Sequence, residues 1–182
     1  TGKIHYIRNN QNKGVTLNFL EGVRTVMESE AVTGQKARNY YMFCDQDDVW
    51  MSDKIEKTLK TMKRWEKKYS DHRPVVVFTD AMVTDEKLNV LNPSFHRSNH
   101  LNTKKLDLAH LMMENKLIGC TIMFNGPLAE RLYRMPEMAR YHDWWIALIA
   151  SAFGHITYLK EGTLLYRQHE NNVVGNQSFL SY

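Results

Sequence analysis

Three carboxylates, Asp45, Asp47 and Asp48, stand within four positions of one another, directly after the apolar and aromatic run Tyr40-Tyr41-Met42-Phe43-Cys44. A strand that stops there delivers concentrated negative charge to one edge of a sheet. Like charges this close repel unless a cation neutralises them, and hard oxygen ligands of this kind suit Mg²⁺ or Mn²⁺. An ion held by one or two carboxylates keeps coordination positions open for phosphate oxygens, so the pattern points to a substrate that carries a diphosphate. The plainer reading is a solvated acidic turn after a buried strand.

Two further clusters could do chemistry. Tyr141-His142-Asp143-Trp144-Trp145 precedes an apolar helical stretch at residues 146–153. Asp143 falls at or near the helix start, where the dipole favours an ionised carboxylate able to take a proton from a hydroxyl; it also reads as a simple capping residue. The faces of Trp144 and Trp145 could pack against pyranose rings, with burial in the core the stronger reading for one of the two. Tyr166-Arg167-Gln168-His169-Glu170-Asn171-Asn172 follows a strand-like stretch. There Arg167 suits phosphate and His169 suits a metal, although a lone histidine is more often structural.

The elements that must position these groups alternate between strand and helix, the pattern of an α/β sandwich with a largely parallel sheet. Strands are expected at residues 3–8, 40–44, 74–79, 117–124, 156–159 and 163–166, and a hairpin at 81–90 around Asp85-Glu86-Lys87. Helices are expected at 16–28, from Ser52 as N-cap through the lysine-rich stretch, at 106–113, from Pro127 to Arg134, and at 146–153. Residues 92–103 form a polar, proline-containing loop of the kind that often carries a substrate site.

With 182 residues, 43% of them hydrophobic, the chain fits one ordinary domain with a sizeable core. The net charge of +4 is compatible with nucleic acid, an anionic membrane surface or a phosphorylated substrate, and discriminates weakly. Much of it lies in Lys54, Lys57, Lys60, Lys63, Arg64, Lys67 and Lys68, which read as the solvated face of an amphipathic helix, with contact to lipid head groups the sharper alternative. Only Cys44 and Cys120 are present, both in apolar runs, which suggests buried thiols of a reduced intracellular protein. No apolar stretch approaches the roughly 20 residues that span a bilayer, so a cytoplasmic protein is expected, with peripheral contact at the inner face of the membrane as an option.

Taken together, the strand ending in Asp-x-Asp-Asp-x-Trp with Asp53-Lys54 after it, His142-Asp143-Trp144-Trp145, and Tyr166-Arg167-Gln168-His169-x-x-Asn172 resemble family-2 glycosyltransferases of the GT-A fold, in particular the rhamnosyltransferase-like branch. Asn12-x-Gly14-x-x-x-Asn18 and Gly119-Cys120-Thr121 are also similar to the family pattern. The resemblance implies a GT-A-like three-layer α/β/α sandwich with a mostly parallel sheet. It implies that Asp45 contacts the ribose or diphosphate of a nucleotide-sugar donor, that Asp47 binds Mg²⁺ or Mn²⁺, and that Asp48 is secondary. Asp143 matches the general base, His169 with Arg167 closes over metal and diphosphate, and His142, Trp144 and Trp145 lie on the acceptor side. The partners implied are a nucleoside-diphosphate sugar, with rhamnose or a related hexose, and a saccharide or lipid-linked saccharide acceptor in surface polysaccharide synthesis, without nucleic acid. The family's first strand-helix-strand unit and its base-holding segments find no counterpart, so residues 1–182 are expected to be the C-terminal part of a catalytic domain that binds nucleotide poorly alone.

Two competing readings use the same residues. Asp45-x-Asp47-x-Val49 resembles the first motif of haloacid-dehalogenase-type phosphohydrolases, with Asp45 as nucleophile, yet no later strand ends in the paired acids that would complete its Mg²⁺ site. A basic nucleic-acid-binding module would use the lysine-rich helix, but no recognisable nucleic-acid motif accompanies it.

Overall fold

The computed structural model describes residues 4–33, 39–70, 72–132 and 140–169. In chain order these form α1 (Gly14–Thr33), β1 (Tyr40–Met42), β2 (Val49–Trp50), α2 (Lys54–Tyr69), β3 (Val75–Thr84), β4 (Val90–Asn92), α3 (Phe95–Ser98), α4 (Leu108–Met113), a 3-10 turn (Gly119–Thr121), β5 (Ile122–Asn125), α5 (Gly126–Leu132), α6 (His142–Phe153) and β6 (His155–Arg167). The sheet runs β1-β5-β3-β6-β2, with β4 paired to β3.

β3 is the middle of this sheet because both its faces are covered. Its run Val75-Val76-Val77-Phe78 alternates sides, so Val76 and Phe78 enter one apolar cluster while Val75 and Val77 enter another. The first cluster gathers Leu20 and Val23 of α1, Leu128 and Leu132 of α5, and Ile146 and Ala150 of α6. The second is closed by Met62 of α2. Helices therefore lie on both faces, giving the three α/β/α layers of a GT-A-like arrangement.

Strand direction departs from expectation. Among the described residues only β3 and β6 pair in parallel; β1 with β5, β5 with β3, β6 with β2, and β3 with β4 are antiparallel. The reason lies between β3 and β5. Instead of a crossover helix, that segment makes the hairpin to β4 and then α3, α4 and the 3-10 turn. It re-enters the sheet with Ile122 opposite Phe78 and runs back along β3. A parallel return needs a full crossover, which only α5 and α6 supply before β6.

Other boundaries shift for local reasons. Residues 4–8 carry no strand and are exposed, Lys3 lying outside the described residues. The two strands expected at 156–159 and 163–166 are one, β6, whose register against β3 shifts around Asp80. The strand expected from 117 begins only at Ile122 because Gly119, Cys120 and Thr121 coil into the 3-10 turn. The helix from Pro127 is described to Leu132, Arg134 lying beyond the described residues. Asp53, with no side-chain cap, replaces Ser52 at the start of α2. The hairpin holds as expected, its turn closed by Asp85, whose carboxylate accepts from Lys87 N and from both nitrogens of Asn89.

The face of α2 turned to the sheet carries Lys54, Thr58, Met62 and Glu66, four apart throughout. Glu66 accepts from Tyr40 Oη at 2.7 Å and from Asn125 Nδ2 at 3.1 Å, tying β1, β5 and α2 together. Nearby, α6 stops at Gly154, where a Cβ would lie 2.1 Å from the Pro74 carbonyl oxygen that also accepts from His155 N. The obstacle there is backbone, so it cannot rotate away. Gly154→Ala should therefore destabilise the fold by about 1–3 kcal/mol, the range for overpacking a rigid site, measured by urea denaturation.

Candidate active site

Asp45, Asp47 and Asp48 lie between the end of β1 and β2, as a carboxylate-bearing turn at the sheet edge. Within it the acids divide. Asp45 and Asp48 group with Cys120, their ligand atoms all within 4.8 Å of one another, while Asp47 Oδ2 lies 2.6 Å from His169 Nε2. The strand end and the segment after β6 thus converge.

The turn is held from several sides. The Arg167 backbone N donates to Asp48 Oδ1 at 3.3 Å, while its guanidinium donates from Nε to the Asp47 carbonyl at 2.9 Å and from NH1 to the Glu86 carbonyl at 3.0 Å. Arg167, expected to bind phosphate, spends the first two of these donors fastening the acidic turn to the end of β6 and the third on the β3–β4 hairpin. The other oxygen of Asp48, Oδ2, is buried without a hydrogen-bond partner. Asp48, ranked secondary from sequence, is therefore central to the cluster. Burial, with repulsion from Asp48 and Asp47 added, pushes the Asp45 carboxyl up to about 6, and burial likewise raises Asp48.

These donors fit a divalent cation. The crowded oxygens of Asp45 and Asp48, the orphaned Asp48 Oδ2 and the Asp47–His169 pair offer oxygen and imidazole ligands that suit Mg²⁺ or Mn²⁺. Cys120 is not among them: burial and the neighbouring carboxylates keep its thiol protonated. Cys44, expected to be buried, is exposed, because β1 ends at Met42 and the chain turns outward after Phe43.

Asp143 is the second residue of α6, which begins at His142, earlier than the apolar run suggested. Burial pushes its carboxyl up to about 6, against hydrogen bonds from Trp144 N, the Asn115 side chain and Gly119 N. The 3-10 turn is the hinge of the site: Gly119 touches Asp143 and the next residue, Cys120, touches Asp45 and Asp48. Two acidic centres almost a hundred positions apart in sequence thereby flank a single peptide unit.

His142 takes a different place from the acceptor side expected for it. It is buried, with its ring 4.7 Å from Phe19 and 4.9 Å from Phe43, both its nitrogens unpartnered, and burial lowers its pKa to about 4. A neutral imidazole there acts as an aromatic wedge between α1, the end of β1 and the 3-10 turn. Only glycine leaves it room, since a Cβ at position 119 would lie 2.4 Å from His142 Nε2. Trp145 packs against the main core, and Trp144 donates from Nε1 to the Leu111 carbonyl at 2.6 Å, pinning α4 to α6. The core reading holds for Trp145; Trp144 is half-buried, with its ring edge committed to α4.

Two contributors went unseen in sequence. Lys54, assigned to a solvated face, is fully buried, donating from Nζ to Thr163 Oγ1 at 3.2 Å. Asp80, in the middle of β3, accepts from Ser94, from His96 Nδ1 at 2.9 Å and from Tyr158 Oη at 3.0 Å. His96 Nε2 in turn faces the Lys116 carbonyl at 2.9 Å, so this network fastens the loop expected at 92–103 to the segment that reaches Asn115 and Gly119. A lone carboxylate inside the apolar run 75–83 was the available signal, because a buried acid demands partners.

Comparison with known proteins bears on the family. Residues 1–123 match the family model described as glycosyl transferase family 2, a span that includes the acidic turn and the 3-10 turn. The dTDP-rhamnosyl transferase RfbG of Shigella flexneri is 26% identical over 151 residues, covering 78% of this chain and 47% of that protein. The chain thus spans about half the length of that curated relative.

The raised Asp143 carboxyl makes a stability prediction. A folded-state value near 6, above the ordinary 3.8, means that ionised Asp143 is less favourable in the fold than in the unfolded chain. Its contribution is lost as pH rises from about 4 through 6. Asp143→Asn should therefore leave the melting temperature at pH 7 equal to or above wild type, with the advantage vanishing near pH 4, as read by scanning calorimetry.

Proposed function

The chain belongs to glycosyl transferase family 2, and from that premise we propose that it carries the metal-binding and acceptor-activating part of an inverting sugar transfer. The proposed donor is a nucleoside-diphosphate sugar, with dTDP-rhamnose favoured by the likeness to the Shigella rhamnosyl transferase. The proposed acceptor is a saccharide or lipid-linked saccharide of a surface polysaccharide. The observation that carries this reading is the convergence of Asp143 and the Asp45–Asp48 turn on the Gly119–Cys120 peptide.

In this reading Asp143 is the base. The acceptor hydroxyl gives its proton to the Asp143 carboxylate while its oxygen forms the bond to the anomeric carbon. The bond from that carbon to the diphosphate oxygen breaks, the electron pair leaves with the nucleoside diphosphate, and the anomeric configuration inverts. A carboxylate whose pKa lies near 6 is mostly ionised at neutral pH yet basic enough to accept the proton as the oxygen loses it. Asn115 and the Gly119 and Trp144 amides hold it in register.

Asp45 faces the ribose or diphosphate of the donor, and Asp47 and His169, with Asp45 and Asp48 alongside, would hold the divalent ion. Such an ion supplies positive charge to the oxygens on which negative charge gathers in the transition state. Arg167 keeps the acidic turn against β6, so that its carboxylates face the donor from a fixed position. The exposed basic residues of α2, among them Lys60, Lys63 and Lys67, support peripheral contact with an anionic membrane at its cytoplasmic side. Family membership favours this reading over the phosphohydrolase and nucleic-acid readings of the same residues.

The assay is transfer of labelled rhamnose from dTDP-rhamnose by the enzyme that contains this chain. Asp143→Asn should lower the rate by roughly 10²–10⁴-fold, and the wild-type rate should fall as pH drops below 6, where Asp143 gains its proton. EDTA should abolish transfer and Mn²⁺ restore it. Full activity of Asp143→Asn would remove the base from the mechanism.

A further inference from the structure

Asp80 interrupts the apolar run of β3 where the strand's register against β6 slips, Thr79 lying opposite Leu159 and Asp80 opposite Gly162. A bulge of this kind re-aims side chains, and Asp80 is gripped on both oxygens. Its Oδ1 accepts from Ala81 N at 2.9 Å and from His96 N at 3.2 Å, and its Oδ2 accepts from Ser94 Oγ and from Tyr158 Oη at 3.0 Å. A carboxyl that receives this many donors is held in its ionised form.

His96 lies between that carboxylate and the backbone ahead of the 3-10 turn. Its ring is buried, with Nδ1 2.9 Å from Asp80 Oδ1 and Nε2 2.9 Å from the Lys116 carbonyl oxygen. Both oxygens offer lone pairs only, whereas a neutral imidazole has a single N–H, so one of the two contacts would set lone pair against lone pair. Both nitrogens therefore donate, and the ring is an imidazolium paired with Asp80.

The grip on Lys116 carries forward. Asn115 brackets Leu117, donating from Nδ2 to its carbonyl at 3.0 Å and accepting from its N at 3.1 Å. The Ile118 carbonyl accepts from Thr121 N at 2.9 Å and from Thr121 Oγ1 at 2.8 Å. A stretch braced in this way passes the position of the Lys116 carbonyl on to Gly119, which abuts His142 beside Asp143, and to Cys120, whose Sγ lies within 4.8 Å of carboxylate oxygens of Asp45 and Asp48. We propose that His96 is a positioning residue for the sugar transfer: anchored by Asp80, it fixes the Lys116 carbonyl and so the depth at which the Gly119–Cys120 peptide sits between the two acidic centres. His96 touches neither substrate nor reacting atoms, and the proposal rests on the reading of Asp143 as the base.

Three measurements test it. In the wild-type enzyme, nitrogen-15 NMR of the histidine rings at pH 7 should show a hydrogen on each ring nitrogen of His96; a bare lone pair on Nε2 overturns the proposal. In the rhamnose-transfer assay, His96→Asn, whose amide nitrogen takes the place of Nδ1 but stops short of the Lys116 carbonyl, should lower kcat roughly 10²-fold. His96→Gln, whose amide nitrogen reaches the place of Nε2, should keep most of the wild-type rate. A packing role would not favour one amide over the other, so equal rates in the two variants, compared at a temperature where both are folded, overturn the proposal. Failure of His96→Asn to fold would make the tie structural and overturn it likewise.

The third measurement couples His96 to the base. In an Asp143→Asn background, His96→Asn should cost no more than about twofold further, because residues that act as a unit are not additive; a full second loss overturns the proposal. An Asp143→Asn enzyme as active as wild type would instead remove the base reading, leaving the ring signals and the Asn-against-Gln comparison to decide on His96.

Discussion

Negative charge gathered at a sheet edge, partly withdrawn from water, is the constraint around which this molecule is arranged. Asp45, Asp47 and Asp48 repel one another, and burial adds to that repulsion by favouring the neutral forms of Asp45 and Asp48. The fold answers from three directions. Arg167 pulls the turn onto β6 through one backbone donor to Asp48 and one guanidinium donor to the Asp47 carbonyl, His169 meets Asp47, and the charge of Lys54 acts on Asp48. Arg167 and His169 come from the end of β6 and Lys54 from the start of α2, so the turn keeps its shape only when β2, α2 and β6 are together.

The second centre is built on the same economy of space. Asp143 is gripped by amides of the 3-10 turn and of its own helix, and the turn can approach that closely because Gly119 has no side chain to collide with His142. His142 in turn fills the gap between Phe19 and Phe43. The aromatic wedge, the glycine and the carboxylate are thus one packing unit, and the Asp80–His96 network secures the segment that leads into it.

Much of this was legible in the residues, for reasons that differ by element. Asp45 to Asp48 after an aromatic strand, and Asp143 after a histidine, are local patterns whose chemistry is read directly from side-chain type. The family and the layered α/β architecture followed from their order along the chain. Strand direction did not, because alternation of strands and helices says nothing about whether a connection crosses over or doubles back, and the segment between β3 and β5 doubles back. Lys54 was misread because helical periodicity marks a basic residue as exposed by default, whereas its burial depends on Thr163 and Trp50, which reach it only through the sheet. His142 and Trp145 looked like ligand-facing groups for the converse reason: a polar or aromatic tip beside a candidate base is indistinguishable in sequence from a buried one.

The pairing of β3 with β6 has a kinetic consequence. Val75 opposite His155 closes a long stretch of chain, and loop closure of that length is an entropic barrier met before the contact rewards it. β6 also brings Thr163 and Arg167 to the acidic turn and leads directly into His169, so a nascent chain that has collapsed around β3, β5 and α2 still has three unshielded acids. Assembly of the cluster therefore reports on the docking of β6, and a ribosome-bound intermediate stalled before that event would expose the aspartates without Arg167 and His169 beside them.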